Sequence, residues 1–195
     1  MTSSWRLFIA LELPPEIVHE LKHLQAELQR IVPEGVASWV RPEGIHLTLK
    51  FLGDVPLRQL DALKAALEES VTGWRCFSLH LGELGCFPSM ANPRVLWVGV
   101  GGDLKQLAAL QASVEKHIAP LGYPPEERGF SPHLTLARAR RSARREEAAA
   151  LGRAAETHHP SQTTPWRVDA VSLMRSQLDP RGAIYTRVHY VALEP

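Results

Sequence analysis

The tetrapeptide His46-Leu47-Thr48-Leu49 recurs letter for letter as His133-Leu134-Thr135-Leu136. Each copy lies in an apolar run that reads as a β-strand, whose side chains alternate between two faces. The His and Thr of a copy therefore share one face, about 6.7 Å apart along the strand, and both leucines take the other. Two such strands facing each other across a cleft would present two imidazoles and two hydroxyls to one substrate. An unperturbed imidazole, pKa ~6.5, occupies both protonation states near neutrality, and a hydroxyl donates to a phosphoryl oxygen. That set suits paired acid and base catalysis on a phosphate.

A single His-x-Thr match carries little weight, since about 0.4 are expected by chance when counted against the template. Requiring leucine at both neighbouring positions lowers the expectation to below about 0.01. A lone strand histidine is better explained as a core residue bonded within its sheet. Recurrence at equivalent places of two half-patterns reverses that explanation.

The surrounding elements must place these strands. Arg6 to Leu13 reads as a buried strand, ended by Pro14-Pro15, which also opens a helix to about Ile31. Its apolar stripe is Ile17, Leu21, Leu24, Leu28 and Ile31. The first motif strand, Ile45 to Leu52, precedes a helix from about Leu57 to Val71. Strands follow over Phe77–Leu81 and Arg94–Val100, with a loop between them at Gly85–Pro93. A helix runs from Gly101-Gly102-Asp103 to about Ile118, before the second motif strand and a short helix within Arg144–Glu156. Val168–Ser176 and Ala183–Leu193 form a hairpin around the turn-rich Gln177–Gly182. The order is β-α-β-α-β, then β-α-β-α-β-β, with each motif on the second strand of its half. Alternating helices and strands also suit a parallel α/β sheet, but no glycine-rich phosphate loop follows the first strand. An α+β duplicate is preferred.

Composition sets outer bounds. A chain of 195 residues with net charge +1 can bury a core as one domain and carries no globally basic coat. The N-terminus lacks the pattern of a signal peptide, and no apolar run approaches the ~20 residues of a membrane span. Cys76 and Cys86 are expected to be reduced, and a cytoplasmic protein is expected. His19 and His23 are spaced i, i+4 on a helix without a companion ligand, so they read as a surface pair.

The chain resembles the two-histidine (2H) phosphoesterases, and within them the RNA 2′,3′-cyclic phosphodiesterases, also called 2′-5′ RNA ligases. The resemblance rests on Trp39 to Gly53 around the first motif and Phe130 to Arg138 around the second. Arg6–Leu13, Ser176 and Gly182–Tyr185 extend it to both ends. It implies one bilobal α+β domain over residues 1–195, a duplicated fold. Two antiparallel sheets would face across a central cleft, with helices on their outer faces. It implies hydrolysis of a terminal RNA 2′,3′-cyclic phosphate to a 2′-phosphomonoester, with no metal or nucleotide cofactor. Reversal would join ends through a 2′-5′ linkage without ATP. RNA ends or nucleotides with a cyclic phosphate would be the partners, with no membrane, and the chain would be a monomer.

In-line attack places acid and base on opposite sides of phosphorus, which one histidine from each strand satisfies. The family's pattern makes His46 the acid and His133 the base; the residues alone leave the roles interchangeable. Thr48 and Thr135 would bind the non-bridging oxygens. Parity puts Lys50 on the face of His46 and Thr48, to reach RNA or to end the strand as a solvated charge. Parity turns Arg138 away from His133 unless the strand ends or bulges there. The cluster Arg138, Arg140, Arg141, Arg144 and Arg145 either tracks phosphates or is a solvated face. Phe51, Phe130, Phe87 and Trp39 are candidates for base stacking. Two alternatives remain open. One is a phosphodiesterase acting on 2′-5′ oligonucleotides or small cyclic nucleotides; the other is a nucleotide-binding module without chemistry.

Overall fold

The computed structural model describes residues 3–127, 129–160, 164–179 and 182–195. Alternation in Ser4–Leu11 builds strand β1, with Leu7, Ile9 and Leu11 in the main core. Phe8 and Ala10, on its other face, join Met174 and Tyr185 in a small second cluster. Helix α1 (Pro15–Ile31) starts on its proline and buries Ile17, Leu21, Leu24, Gln25 and Leu28. Ile31, at the end of the expected stripe, is 43% exposed instead.

Strand β2 (Ala37–Trp39) was not expected from sequence; at three residues it is too short to show a period. Strand β3 (Leu47–Pro56) carries the first motif, and helix α2 (Leu60–Val71) follows a short 3-10 turn. Strands β4 (Phe77–Phe87) and β5 (Val95–Gly102) lead to helix α3 (Leu104–Ile118). Strand β4 thus runs through Gly85-Cys86-Phe87, where a loop was expected. It survives its glycines through a register shift between Leu81 and Leu84. Strand β6 (His133–Ala139) carries the second motif and precedes helix α4 (Arg145–Thr157). Strand β7 (Trp166–Val168) is separate from β8 (Ala170–Asp179), which pairs with β9 (Gly182–Ala192) as the expected hairpin. Its turn residues Pro180 and Arg181 lie outside the described residues.

The strands form two antiparallel sheets, ordered β3-β1-β8-β9 and β2-β6-β5-β4-β7. Helices α2 and α3 pack together and back the first; α4 lies against β4 and β5 of the second. The lobes are therefore not the two sequence halves. The terminal hairpin β8–β9 returns to β1, and β2 leaves the first half to pair with β6. What is preserved is the local unit: β3 is antiparallel to β1, and β6 is antiparallel to β5.

Both motif strands carry a bulge at the same place. Opposite β3, Ala10 pairs with Thr48 and Ile9 with Lys50, so Leu49 is skipped. Opposite β6, Trp97 pairs with Thr135 and Leu96 with Ala137, so Leu136 is skipped. A bulge puts two residues against one and resets the alternation beyond it. Leu49 and Lys50 are accordingly both buried, as are Leu136 and Ala137, while Phe51 and Arg138 emerge.

Candidate active site

The buried leucines of each motif, Leu47, Leu49, Leu134 and Leu136, are at most 3% exposed. They anchor their strands in the core, and the His and Thr take the opposite face, half-buried. The two motif strands approach each other across the cleft. His46, Thr48, His133, Thr135 and Arg138 line one cavity of about 500 Å³, with Arg6, Phe8, Phe51 and Tyr185 around them.

The imidazoles are held alike. Nδ1 of His46 donates to the Gly44 carbonyl at 2.9 Å, and Nδ1 of His133 donates to the Ser131 carbonyl at 2.7 Å. A carbonyl only accepts, so each Nδ1 carries the hydrogen and each Nε2 is the atom that gains or loses a proton. Neither Thr48 nor Thr135 bonds its hydroxyl to another group among the described residues, which leaves both available to a ligand.

Aromatic rings fix the imidazole planes. Phe8 stacks on His46 at 4.5 Å between centroids, and Tyr185 meets it edge-on at 4.9 Å. Phe87 meets His133 edge-on at 4.8 Å, with Trp97 at 6.1 Å. Two glycines make room for these rings. A Cβ on Gly44 would lie 3.2 Å from the Tyr185 ring, and one on Gly85 would lie 2.2 Å from the Trp97 indole. Sequence reading had named Phe87 as a stacking candidate but missed Phe8, Tyr185 and Trp97. The alternation of β1 was the available signal for Phe8, which shares parity with Arg6 and Ala10.

Burial pushes the His46 pKa down to about 4, against the Gly44 carbonyl and the Glu12 carboxylate, which favour its charged form. Glu12 is itself kept ionised: burial raises its pKa, but hydrogen bonds from Arg187 and Ser172 outweigh that and lower it. Burial also lowers the pKa of His133; the Ser131 carbonyl opposes this and the Arg138 charge adds to it. Both imidazoles are thus neutral near pH 7. Their neighbouring charges have opposite signs.

The expectation for Lys50 is corrected. The skipped Leu49 turns Lys50 into the interior at 2% exposure, where Nζ pairs with Glu115 and donates to the Pro124 carbonyl at 2.8 Å. Its place on the cleft face is taken by Phe51, which is 61% exposed. The condition attached to Arg138 is met, because the bulge at Leu136 brings it to the cleft. The rest of the arginine cluster disperses: Arg140 donates to the Ala37 carbonyl, and Arg144 pairs with Glu147 in a capping box on α4.

A second cavity of about 570 Å³ adjoins the first, sharing Thr48, Phe51 and His133 with it. Phe87, Phe130 and Arg94 line it. Trp39 packs against the core instead. Both cysteines are free, His19 and His23 touch only as a ring pair at 4.5 Å, and no described helix is long and apolar enough to cross a membrane. Among the described residues, no cluster of three or more His, Cys, Asp or Glu side chains is arranged to hold a metal ion.

Comparison with known proteins places this geometry. The family model of the 2′-5′ RNA ligase superfamily matches residues 13–180. The chain belongs to the 2′-5′ RNA ligase superfamily. Within it, the chain is 32% identical over 182 residues to an RNA 2′,3′-cyclic phosphodiesterase of Methanothermobacter thermautotrophicus, covering 93% of this chain and 95% of that protein. A protein of the same name from Archaeoglobus fulgidus is also 32% identical over 182 residues, covering 92% and 96%. Among solved structures, E. coli LigT complexed with 3′-AMP superposes with a TM-score of 0.78 at 26% identity, covering 98% of this chain and 99% of LigT. TT0787 of Thermus thermophilus superposes with a TM-score of 0.74 at 29% identity, covering 96% and 97%. The superfamily fold therefore spans essentially the whole chain.

Proposed function

We propose that this protein is an RNA 2′,3′-cyclic phosphodiesterase that opens a terminal cyclic phosphate to a 2′-phosphomonoester. The observation that carries the proposal is one cavity lined by two imidazoles with Nδ1 committed to backbone carbonyls and two hydroxyls without partners among the described residues. The relatives' shared name supports the same substrate.

In the step, a water oxygen forms a bond to phosphorus as the P–O3′ bond breaks. His133 Nε2 takes the water proton, and protonated His46 gives its Nε2 proton to O3′. The neighbouring charges support this order. Glu12 favours imidazolium at His46, and Arg138 favours neutral imidazole at His133. Burial opposes charging of His46, and the anionic phosphate supplies the counter-charge that reverses this on binding. Thr48, Thr135 and Arg138 donate to the non-bridging oxygens, where charge builds. Phe51 offers an exposed face to a base, and Phe130 lies on the wall of the adjoining cavity. A 5′-hydroxyl in place of water yields a 2′-5′ linkage by the same atoms. The site is complete within one chain, which supports a monomeric enzyme.

The test is incubation with RNA ending in a 2′,3′-cyclic phosphate, with and without EDTA. A 2′-phosphate product with EDTA making no difference is expected. A 3′-phosphate product would contradict O3′ as the leaving group. Binding without turnover would favour a non-catalytic module, and turnover of mononucleotides alone would favour small cyclic nucleotides.

A further inference from the structure

The bulges at Leu49 and Leu136 are each met by a glutamine. Gln25 of α1 is 4% exposed, and its Nε2 donates to the Leu136 carbonyl at 2.9 Å and the Val40 carbonyl at 2.8 Å. Gln111 of α3 donates through Nε2 to the Leu49 carbonyl at 3.4 Å and to Glu115 Oε1 at 3.1 Å. Glu115 in turn pairs with Lys50, the residue that the bulge turns inward. The two glutamines therefore occupy matching places in the two lobes.

Each also comes from the opposite half of the topology. Helix α1 follows β1 of the first sheet, yet Gln25 reaches β6 of the second. Helix α3 follows β5 of the second sheet, yet Gln111 reaches β3 of the first. Gln25 has an added reach, because Val40 opens the lead-in to His46. One amide thus joins the approach to the first motif to the bulge of the second. The Leu136 carbonyl also accepts from the Val40 N–H at 2.9 Å, so Gln25 fills its second lone pair and ties the segment after β2 to the bulge, which opposes a register slip. A slip by one residue would return Arg138 and Phe51 to the core side.

We propose that Gln25 and Gln111 are positioning residues for nucleotide binding in the cleft: by holding the bulged carbonyls of Leu136 and Leu49 they keep Arg138 and Phe51 on the cleft face. The proposal rests on the reading that the cleft binds a nucleotide phosphate, and it does not depend on turnover. Gln25 then acts through Arg138, and Gln111 acts through Phe51.

Double-mutant cycles test this. Gln25→Met keeps the side-chain length and removes the donor. Binding of a nucleoside 2′-monophosphate is measured by calorimetry, alongside KM and kcat on cyclic-phosphate RNA. Gln25→Met is expected to weaken binding about tenfold in the wild-type background and less than about twofold after Arg138→Gln, as coupled residues behave. KM is expected to rise with kcat less affected. Gln111→Met with Phe51→Ala forms the matching cycle, with a smaller coupling given the longer bond, and it decides alone if Gln25→Met fails to fold. Equal losses in both backgrounds, or no loss in either, would overturn the proposal. Wild-type protein that binds the monophosphate without opening cyclic phosphates would refute the proposed function and leave the cycles readable.

Discussion

The two motif strands repeat each other down to the backbone, and they diverge in what surrounds them. Each histidine donates Nδ1–H to a carbonyl two residues earlier, each threonine hydroxyl is unpaired among the described residues, and each second leucine is bulged. Beyond the bulge the sequences part: Lys50-Phe51 on β3 stands where Ala137-Arg138 stands on β6. The exposed position is an aromatic ring in one lobe and a guanidinium in the other. Behind the histidines the difference continues, with the Glu12 carboxylate near His46 and the Arg138 charge near His133. A duplicated frame thus supplies equal geometry, and unequal neighbours push the two proton affinities in opposite directions on top of the burial that lowers both. In-line phosphoryl chemistry needs both, because an acid and a base must sit symmetrically about phosphorus while differing in state.

The largest effects are expected at the histidines. His46→Ala and His133→Ala should each lower kcat by about 10²–10⁴-fold, the span of one positioned proton transfer. Circular dichroism should show both variants folded. Full activity in either would remove the equivalence of the two sites. Thr48→Val and Thr135→Val should each cost up to about 10²-fold in kcat, at or below the loss for a single charge-stabilising donor. A large loss at one threonine and none at the other would show that phosphate leans on one lobe.

Burial of His46 has a separate signature in stability. Its folded pKa of about 4 lies below the unfolded value near 6.5, so the unfolded chain binds more protons between those pH values. Stability should therefore fall as pH drops from about 6.5 to 4, by roughly 3 kcal/mol from this residue. His46→Gln should flatten that slope in urea titrations. An unchanged slope would show that His46 is solvated.

Finer still is the pH profile of kcat/KM, which reports the free enzyme. With both histidines depressed, the optimum should lie on the acid side of about 6.5. Arg138→Gln removes the cation that lowers His133, so the limb set by His133 should move to higher pH. Glu12→Gln removes the anion that supports charged His46, so the limb near pH 4 should move lower. Movement of either limb in the other direction would reverse the electrostatic half of the comparison.

The catalytic core was legible because its signal was local: an exact repeat, strand alternation, and leucines that had to be buried. The extent of helix α1 was legible because Pro15 and its apolar stripe mark it, although Ile31 at the end of that stripe is exposed. The bulges were not, since nothing in His-Leu-Thr-Leu announces a skipped pairing, and one skipped residue was enough to exchange Lys50 for Phe51. Lys50 finds its partner only when α3 delivers Glu115 from far along the chain. Alternation sets the face that Phe8 takes, but strand order is what brings Phe8 and Tyr185 to His46. The interleaving of β2 and the β8–β9 hairpin between lobes likewise depends on which edges remain open after the core forms.

The claim that equal geometry carries opposite roles is tested most directly by replacing O3′ of the cyclic phosphate with sulfur. A thiolate leaves without needing a proton, so an acid becomes dispensable while a base does not. The 3′-thio substrate is expected to restore most turnover to His46→Ala and none to His133→Ala. Rescue of His133→Ala with His46→Ala still inactive would contradict that claim.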